Sequence, residues 1–280
     1  MHTTASDGRL TPARLVARAE AAGLTTISVT DHDTVAAFAE VSGLAHVAGI
    51  RAIPGIEITS VDQGRDVHML AYFFDVDSRE LASFLEGQRA LRVQRLQEIG
   101  ARLAAMGMPL DVDAVLLPAL QRPGSSVGRP QVARALVAAG YVSSVQDAFD
   151  RLLATGRPAF VARTGPSPAD VIDIVHSVGG VASLAHPAVT KRDDLIAPLV
   201  ACGLDAIEVY HSDHTPETAR FYGETAARLG MAMSGGSDFH GEDPAAPAGR
   251  PLRATLGAVT LPPDDFADLE ARARARQRGR

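Results

Sequence analysis

The 280-residue chain has no tryptophan and a single cysteine, Cys202. One cysteine excludes an intramolecular disulfide and fits a reducing, cytoplasmic setting. Aromatic residues make up only 5% of the chain, too few for extended base-stacking platforms. Positive charge is also in deficit: 27 Lys and Arg stand against 33 Asp and Glu, a net charge of −6. This balance argues against a broad basic surface for duplex nucleic acid but leaves room for a local anion pocket. No apolar run approaches the roughly 18 residues of a membrane helix. Met1-His2-Thr3-Thr4 has neither the basic nor the apolar region of a secretory leader. What remains is ordinary globular composition, 46% hydrophobic and 21% charged, with a mean hydropathy of +0.05.

The chain repeats one rhythm: a short apolar run, a polar corner, then a helix. Thr11-Pro12 reads as an N-cap followed by proline at the first helical position. Strands are expected at 26–30, 51–58 and 66–74, with Pro54 weakening the second. From about Ser78 to Ala159 the period is helical, with one long amphipathic stretch from Leu81 to Met106 and shorter helices at 130–139 and 145–155. Strand-helix alternation then returns. Strands are expected at 181–185, 205–210, 231–234 and 254–261, and helices open at Ser167-Pro168 and Thr215-Pro216. Such alternation implies a mostly parallel α/β sheet, barrel or layered. The expected organisation is a discontinuous domain of 1–77 and 160–265, a helical insertion at 78–159, and a frayed basic tail at 266–280.

Four of the nine histidines, His32, His186, His211 and His240, fall just after expected strands. His2 lies in a polar corner with Asp7, and His68 lies within a strand, two residues after Asp66. In strand-helix architectures the carboxyl ends of parallel strands converge on one site. Imidazole and carboxylate together suit divalent Zn, Mn or Fe. Glu57, at a strand end, can bridge two cations. Asp238 and His240 alternate and can face one side of an extended segment. Asp31 and Asp33 flank His32 as ligands or as groups that orient it. His46 and His176 lie on expected helices and read as structural. His211 and His214 stay open between ligand and pocket lining.

Thr3-Thr4-Ala5-Ser6-Asp7-Gly8, Thr30-Asp31-His32-Asp33, Pro54-Gly55-Ile56-Glu57, His68, Ala185-His186-Pro187 and Gly236-Ser237-Asp238-Phe239-His240 occur in order. Together they resemble the motifs of the PHP (polymerase and histidinol phosphatase) family of metal-dependent phosphoesterases. The resemblance implies a distorted (β/α)7 barrel with two to three divalent cations at its C-terminal face, Mn²⁺ first, with Fe²⁺ or Zn²⁺ also compatible. It places His2, Glu57 and Asp238 on one cation, Glu57, His68 and His186 on a second, and Asp7, His32 and His240 on a third. It further implies in-line attack on phosphorus by water that the cations acidify, with catalytic roles at Asp238 and His240. His214 would hydrogen-bond substrate or help protonate the leaving group.

Gly128-Arg129-Pro130, Ala133-Arg134-Ala135-Leu136 and Ala139-Gly140-Tyr141 resemble the insertion of the nucleotide phosphatases of this family. Those remove the 3′-phosphate of nucleoside 3′,5′-bisphosphates, and relatives trim short RNA from its 5′ end. The implied partner is thus a small phosphorylated substrate, nucleotide or short single-stranded RNA, with neither duplex nor membrane. Arg129 can clamp a second phosphate with its guanidinium fork; Gln131, Arg134, Lys191 and His211 are further substrate-contact candidates, and Arg157 a weaker one. Two departures stand out. Met1-His2 carries only the end of the family's opening Asp-Leu-His-x-His motif, so the first barrel strand is missing. The expectation is an upstream segment ending in Asp-x-His; the contrary reading is a catalytically weak metal- or nucleotide-binding domain. Gln131 stands where the family has His, and Gln131→His is expected to change KM more than kcat.

Overall fold

The computed structural model describes residues 1–241 and 255–279. Six strands form one mixed sheet in chain order: β1 (Thr26–Val29), β2 (Arg51–Asp62), β3 (Arg65–Tyr72), β4 (Val181–Leu184), β5 (Ala206–His211) and β6 (Ala232–Gly236). Around them lie α1 (Pro12–Ala21), α2 (Phe38–Val47), α3 (Arg79–Ala105), α4 (Val112–Leu120), α5 (Arg129–Ala138), α6 (Val145–Ala148), α7 (Pro168–Ser177), α8 (Pro187–Thr190), α9 (Ile196–Ala201), α10 (Pro216–Leu229) and α11 (Pro263–Arg278). The strand-rich part is the α/β sheet expected, with six strands among the described residues. β1 and β6 are its two edges.

The sheet is less uniformly parallel than the rhythm suggested. β1 and β2, β4 and β5, and β5 and β6 pair parallel, while β3 runs antiparallel to both neighbours. The reversal comes from a two-residue hairpin at Gln63-Gly64, both at positive φ (48° and 76°), the geometry that matches strand twist. One consequence is functional. His68, near the start of β3, pairs with Thr59, near the end of β2, so the reversed strand delivers its imidazole to the same end as the others.

Helix starts follow the expected caps. Thr11, Ser78, Ser167 and Thr215 each accept a first-turn backbone N–H through the side chain, satisfying donors that the helix leaves unpaired. Gly230, at φ 68°, closes α10.

α3 joins two apolar cores. Its buried stripe begins with Leu81 and Leu85, packed with Ile56, Met69 and Val175 on the sheet side. It ends with Leu96, Ile99 and Leu103, packed with Leu116, Val132 and Leu153 in a cluster formed with α4, α5 and α6. Between these the same stripe is polar: Gln88, Arg92 and Arg95 are buried.

Three expectations need correction. Residues 255–261 form turns rather than a strand: Gly257 takes φ 84° and Leu256 packs with the α1–α2 core; Ala254 lies outside the described residues. The 145–155 segment is helical in two pieces, α6 and then a π turn over Phe149–Leu153. The stretch expected as a frayed tail is helix to Arg278; Arg280 lies outside the described residues. Leu269 and Ala273 are buried, Gln277 donates to the Phe73 carbonyl at 2.7 Å, and Arg276 reaches the Asp205 carboxylate. Among the described residues no helix is long and apolar enough to cross a membrane.

Candidate metal centre

The chain's first two residues bridge the ends of the sheet's edge strands. Thr30 N–H donates to the Met1 carbonyl (2.9 Å), and His2 N–H donates to the Phe239 carbonyl (2.8 Å). This fixes the His2 imidazole, which is fully buried, between Glu57 and Asp238: its Nε2 lies 3.2 Å from Glu57 Oε2 and 3.0 Å from Asp238 Oδ1. Glu57 is the hub. Its other oxygen, Oε1, lies 2.5 Å from His68 Nδ1 and 3.2 Å from His186 Nε2. On the outer side Asp7 stands 3.3 Å from His240 and 3.8 Å from His32. His240 stacks on His2 with ring centroids 4.0 Å apart.

Among the described residues, three sets of donor atoms each lie within 4.8 Å of one another: His2, Asp7, His32 and His240; His32, Glu57 and His68; and His2, Glu57 and Asp238. The last is the first cation set implied by the resemblance. The second contains Glu57 and His68, with His32 in the position assigned to His186. His186 still touches both Glu57 and His68 (3.3 Å). The third contains Asp7, His32 and His240, joined by His2.

The electrostatics suit cations. Burial opposes ionisation of Asp7, Glu57 and Asp238, yet the surrounding imidazoles hold all three well below the usual carboxylate range. Burial likewise opposes charge on His2, but hydrogen bonds to Asp238 and Glu57 prevail and raise it to about 10. At His32 burial prevails over Glu57 and Asp7 and lowers it to about 3. The buried Nδ1 atoms of His2, His32 and His186 have no hydrogen-bond partner. Buried nitrogens left without partners beside ionised carboxylates are what divalent cations with mixed N/O preference satisfy, so the donor set fits the metals the sequence implied.

Other residues hold this arrangement. Asp31 lies outside the three donor sets: it accepts from Thr3 N–H (2.7 Å), Thr3 Oγ1 (2.6 Å) and Ser6 Oγ (2.5 Å), pinning the loop that carries Asp7. Asp33 accepts from Thr59 N–H and from Arg92. Glu208 accepts from the His186 N–H at 2.7 Å. Asp33, His186 and Asp238 all take positive φ (51°, 25° and 49°), strain that persists only where surrounding contacts impose it.

The candidate substrate contacts separate. His211 is buried and aims Nε2 at Asp238 from 3.8 Å, while its Nδ1 accepts the Asp213 N–H. Its ring therefore backs the Asp238 carboxylate of the donor cluster. His214 Nδ1 donates to the Val209 carbonyl at 2.7 Å, leaving Nε2 as a buried acceptor without a partner; burial, foremost, lowers its pKa. Gln131 uses both ends of its amide, accepting from Gly128 N–H and donating to the Ser6 carbonyl, and so ties α5 to the Asp7 loop. Arg134 is half-buried within electrostatic reach of Asp7 and Arg9. Lys191 is exposed and lines a separate cleft with Asp193, Phe221 and Tyr222. Arg129 donates to Asp66 and the Leu153 carbonyl and lies over Phe149. Sequence reasoning missed Arg92 and Arg95, which are buried, and the partly buried Arg163, all beside Asp33 and Asp66. Only Arg92 and Arg95 carried a signal, their place on the buried stripe of α3.

Comparison with known proteins agrees with this geometry. Residues 1–110 match the PHP domain family. The chain is 35% identical over 244 residues to a 5′-3′ exoribonuclease of Haemophilus influenzae, covering 85% of this chain and 88% of that protein. It is 32% identical over 245 residues to a 3′,5′-nucleoside bisphosphate phosphatase of Chromobacterium violaceum, covering 85% of each. A solved structure from Bifidobacterium adolescentis, described as a metal-dependent phosphoesterase, superposes with a TM-score of 0.85 at 33% identity over 97% of this chain and 94% of that one.

Proposed function

The chain belongs to the PHP-domain family of metal-dependent phosphoesterases, and from this premise we propose that it hydrolyses the 3′-phosphate of nucleoside 3′,5′-bisphosphates, giving nucleoside 5′-monophosphate and phosphate. The observation that carries the reading is Glu57, whose two oxygens face different imidazole sets within a cluster of three ionised carboxylates and five histidines.

His2, Glu57 and Asp238 would hold one divalent cation, Glu57, His68 and His186 or His32 a second, and Asp7, His32 and His240 a third. Cations bound there supply acidified water and neutralise charge developing on the phosphoryl oxygens. The chain's own groups do the positioning. His240 donates Nδ1–H to the Asp238 carbonyl (2.8 Å), which turns Nε2 toward the site. His211 backs Asp238. His214 offers its bare Nε2 as an acceptor to a substrate hydroxyl or to water. As the water oxygen bonds to phosphorus the P–O3′ bond breaks, and a proton given up by that water ends on the departing 3′-oxygen, leaving phosphate and a free 3′-hydroxyl.

A small nucleotide suits a chain of net charge −6 with 5% aromatic residues better than a long polyanion does. The likeness to the H. influenzae protein supports a second reading, 5′-3′ cleavage of short RNA. Products separate the two. With Mn²⁺, adenosine 3′,5′-bisphosphate should yield phosphate and AMP with higher kcat/KM than a 5′-phosphorylated RNA pentamer yields mononucleotides. The reverse order would favour the second reading.

A further inference from the structure

The loop that carries Asp7 belongs to no helix or strand, yet Thr3, Ala5, Ser6 and Asp7 are all buried. A buried irregular segment has no ladder to satisfy its backbone groups and must find partners elsewhere. The Thr3 and Ser6 hydroxyls are spent on Asp31. The carbonyls turn to the helical insertion, and three in succession are taken by three of its residues. Arg122 donates to the Thr4 carbonyl (3.2 Å), the Ser126 N–H to the Ala5 carbonyl (2.7 Å), and the Gln131 amide to the Ser6 carbonyl (2.9 Å). The next residue is Asp7.

The same stretch grips a second loop of the site. Thr34 Oγ1, two residues after His32, donates to the Gly124 carbonyl at 2.6 Å. Arg92 joins the Val127 carbonyl (3.0 Å) to Asp33. Gln131 also accepts from the Gly128 N–H (2.9 Å), so one amide ties the start of α5 to the Asp7 loop. Residues 122–131 therefore touch the segments that carry Asp7 and His32, which with His240 and His2 make up the outer donor set. The inner donors are placed by other means. Glu57 and His68 sit in β2 and β3, and His186 directly follows β4. His2 is fixed by its bond to the Phe239 carbonyl.

A bound cation tolerates ligand distances only within about 0.2 Å of its preferred values, so a ligand on an irregular loop is as good as the contacts that hold the loop. We propose that residues 122–131 are a strap that assembles the outer cation site, with Gln131 as a positioning residue for Asp7. The outer cation is held only while the strap is in place, and the inner donors keep theirs without it. Gln131 then acts through Asp7 and not on substrate. The proposal rests on the metal-dependent reading above.

The test uses the full chain, stripped with EDTA and titrated with Mn²⁺ by calorimetry in the absence of substrate. Asp7→Asn identifies the outer ion as the one it removes. Gln131→Met should weaken that ion by about 10–100-fold, the scale of second-layer contacts to a metal ligand, and leave the other ions unchanged. Arg122→Met, at an exposed position, should weaken the same ion by less; it carries the test if Gln131→Met does not fold. Neither change should add to the loss in an Asp7→Asn background, because all act through one ligand. A general loosening of the fold would weaken every ion and would add to that loss. In turnover of adenosine 3′,5′-bisphosphate, raising Mn²⁺ should return Gln131→Met to the native KM, whereas loss of a substrate contact would leave KM raised. The proposal is overturned if Asp7→Asn removes no ion, if both strap variants bind every ion as the native chain does, if inner and outer ions weaken alike, or if KM stays raised at saturating Mn²⁺. Selective loss of the outer ion in a chain that hydrolyses nothing would support the strap and reject the proposed reaction.

Discussion

The Asp33 carboxylate accepts a hydrogen bond from the Arg92 guanidinium, 59 positions away in the middle of α3, although the neighbouring His32 faces the donor cluster. Both side chains are buried. Burial opposes the charge on Asp33, and Arg92 and Arg163 outweigh it, holding the carboxyl below its ordinary range. This pair fastens the helical part of the molecule to the strand end that carries His32.

Removing one partner of such a pair strands a buried charge. Arg92→Met should therefore destabilise the protein by about 3–5 kcal/mol, measured by urea unfolding. The double change Arg92→Met with Asp33→Asn should recover part of the loss. A loss under about 1 kcal/mol in the single variant would contradict the role assigned to the pair.

Glu57 belongs to two donor sets at once. Glu57→Gln should lower the bound-metal stoichiometry by more than one ion per chain when titrated with Mn²⁺, and reduce phosphoesterase activity by more than roughly 100-fold. Full metal content in this variant would exclude the bridging position.

His211 contacts Asp238 rather than solvent. His211→Asn should reduce activity by about 10–100-fold, the usual cost of losing a group that orients a metal ligand, with metal content close to native and KM little changed. A rise in KM alone would return His211 to substrate binding.

Asp205 links α7, β4 and α11: it accepts from His176 (2.8 Å), from the Ala182 N–H (2.9 Å) and from Arg276. Burial opposes its ionisation, and these bonds, His176 first, lower its pKa below the ordinary value of 3.8. The unfolded chain therefore binds more protons at this carboxyl than the folded one does, so stability rises with pH across this range. The contribution is present above about pH 4 and is lost as pH falls through the folded pKa. Asp205→Asn should cost about 1–3 kcal/mol at pH 7, with the gap to the native protein narrowing below pH 4. A gap independent of pH would contradict the assignment.

Much of this was legible because strand ends and most of the candidate donor residues share a boundary. His186, His211 and His240 follow short apolar runs, and each run forms a strand of the sheet. Asp238 was readable for the same reason, whereas Glu57 lies inside β2 rather than at the strand end expected and was readable only through the Pro54-Gly55-Ile56-Glu57 motif. Gly-rich turns and Pro-capped helices marked the helix bounds. What was not legible depends on contacts distant in sequence. Arg163 sits in no periodic pattern, and an isolated arginine usually reads as solvated surface. The Ala-Arg alternation after Ala271 hid a helix whose fixing contacts, Arg276 with Asp205 and Gln277 with Phe73, exist only in the folded chain. Gln131 gave no hint that its amide would be used on backbone groups of two separate segments.

The most direct measurement is product analysis on adenosine 3′,5′-bisphosphate with the Mn²⁺-loaded chain. Phosphate and AMP should appear in equal amounts, AMP should resist further cleavage, and EDTA should stop the reaction until Mn²⁺ is restored. Release of adenosine 3′-monophosphate instead, or an intact substrate with metal demonstrably bound, would contradict the assignment of this site to the 3′-phosphate.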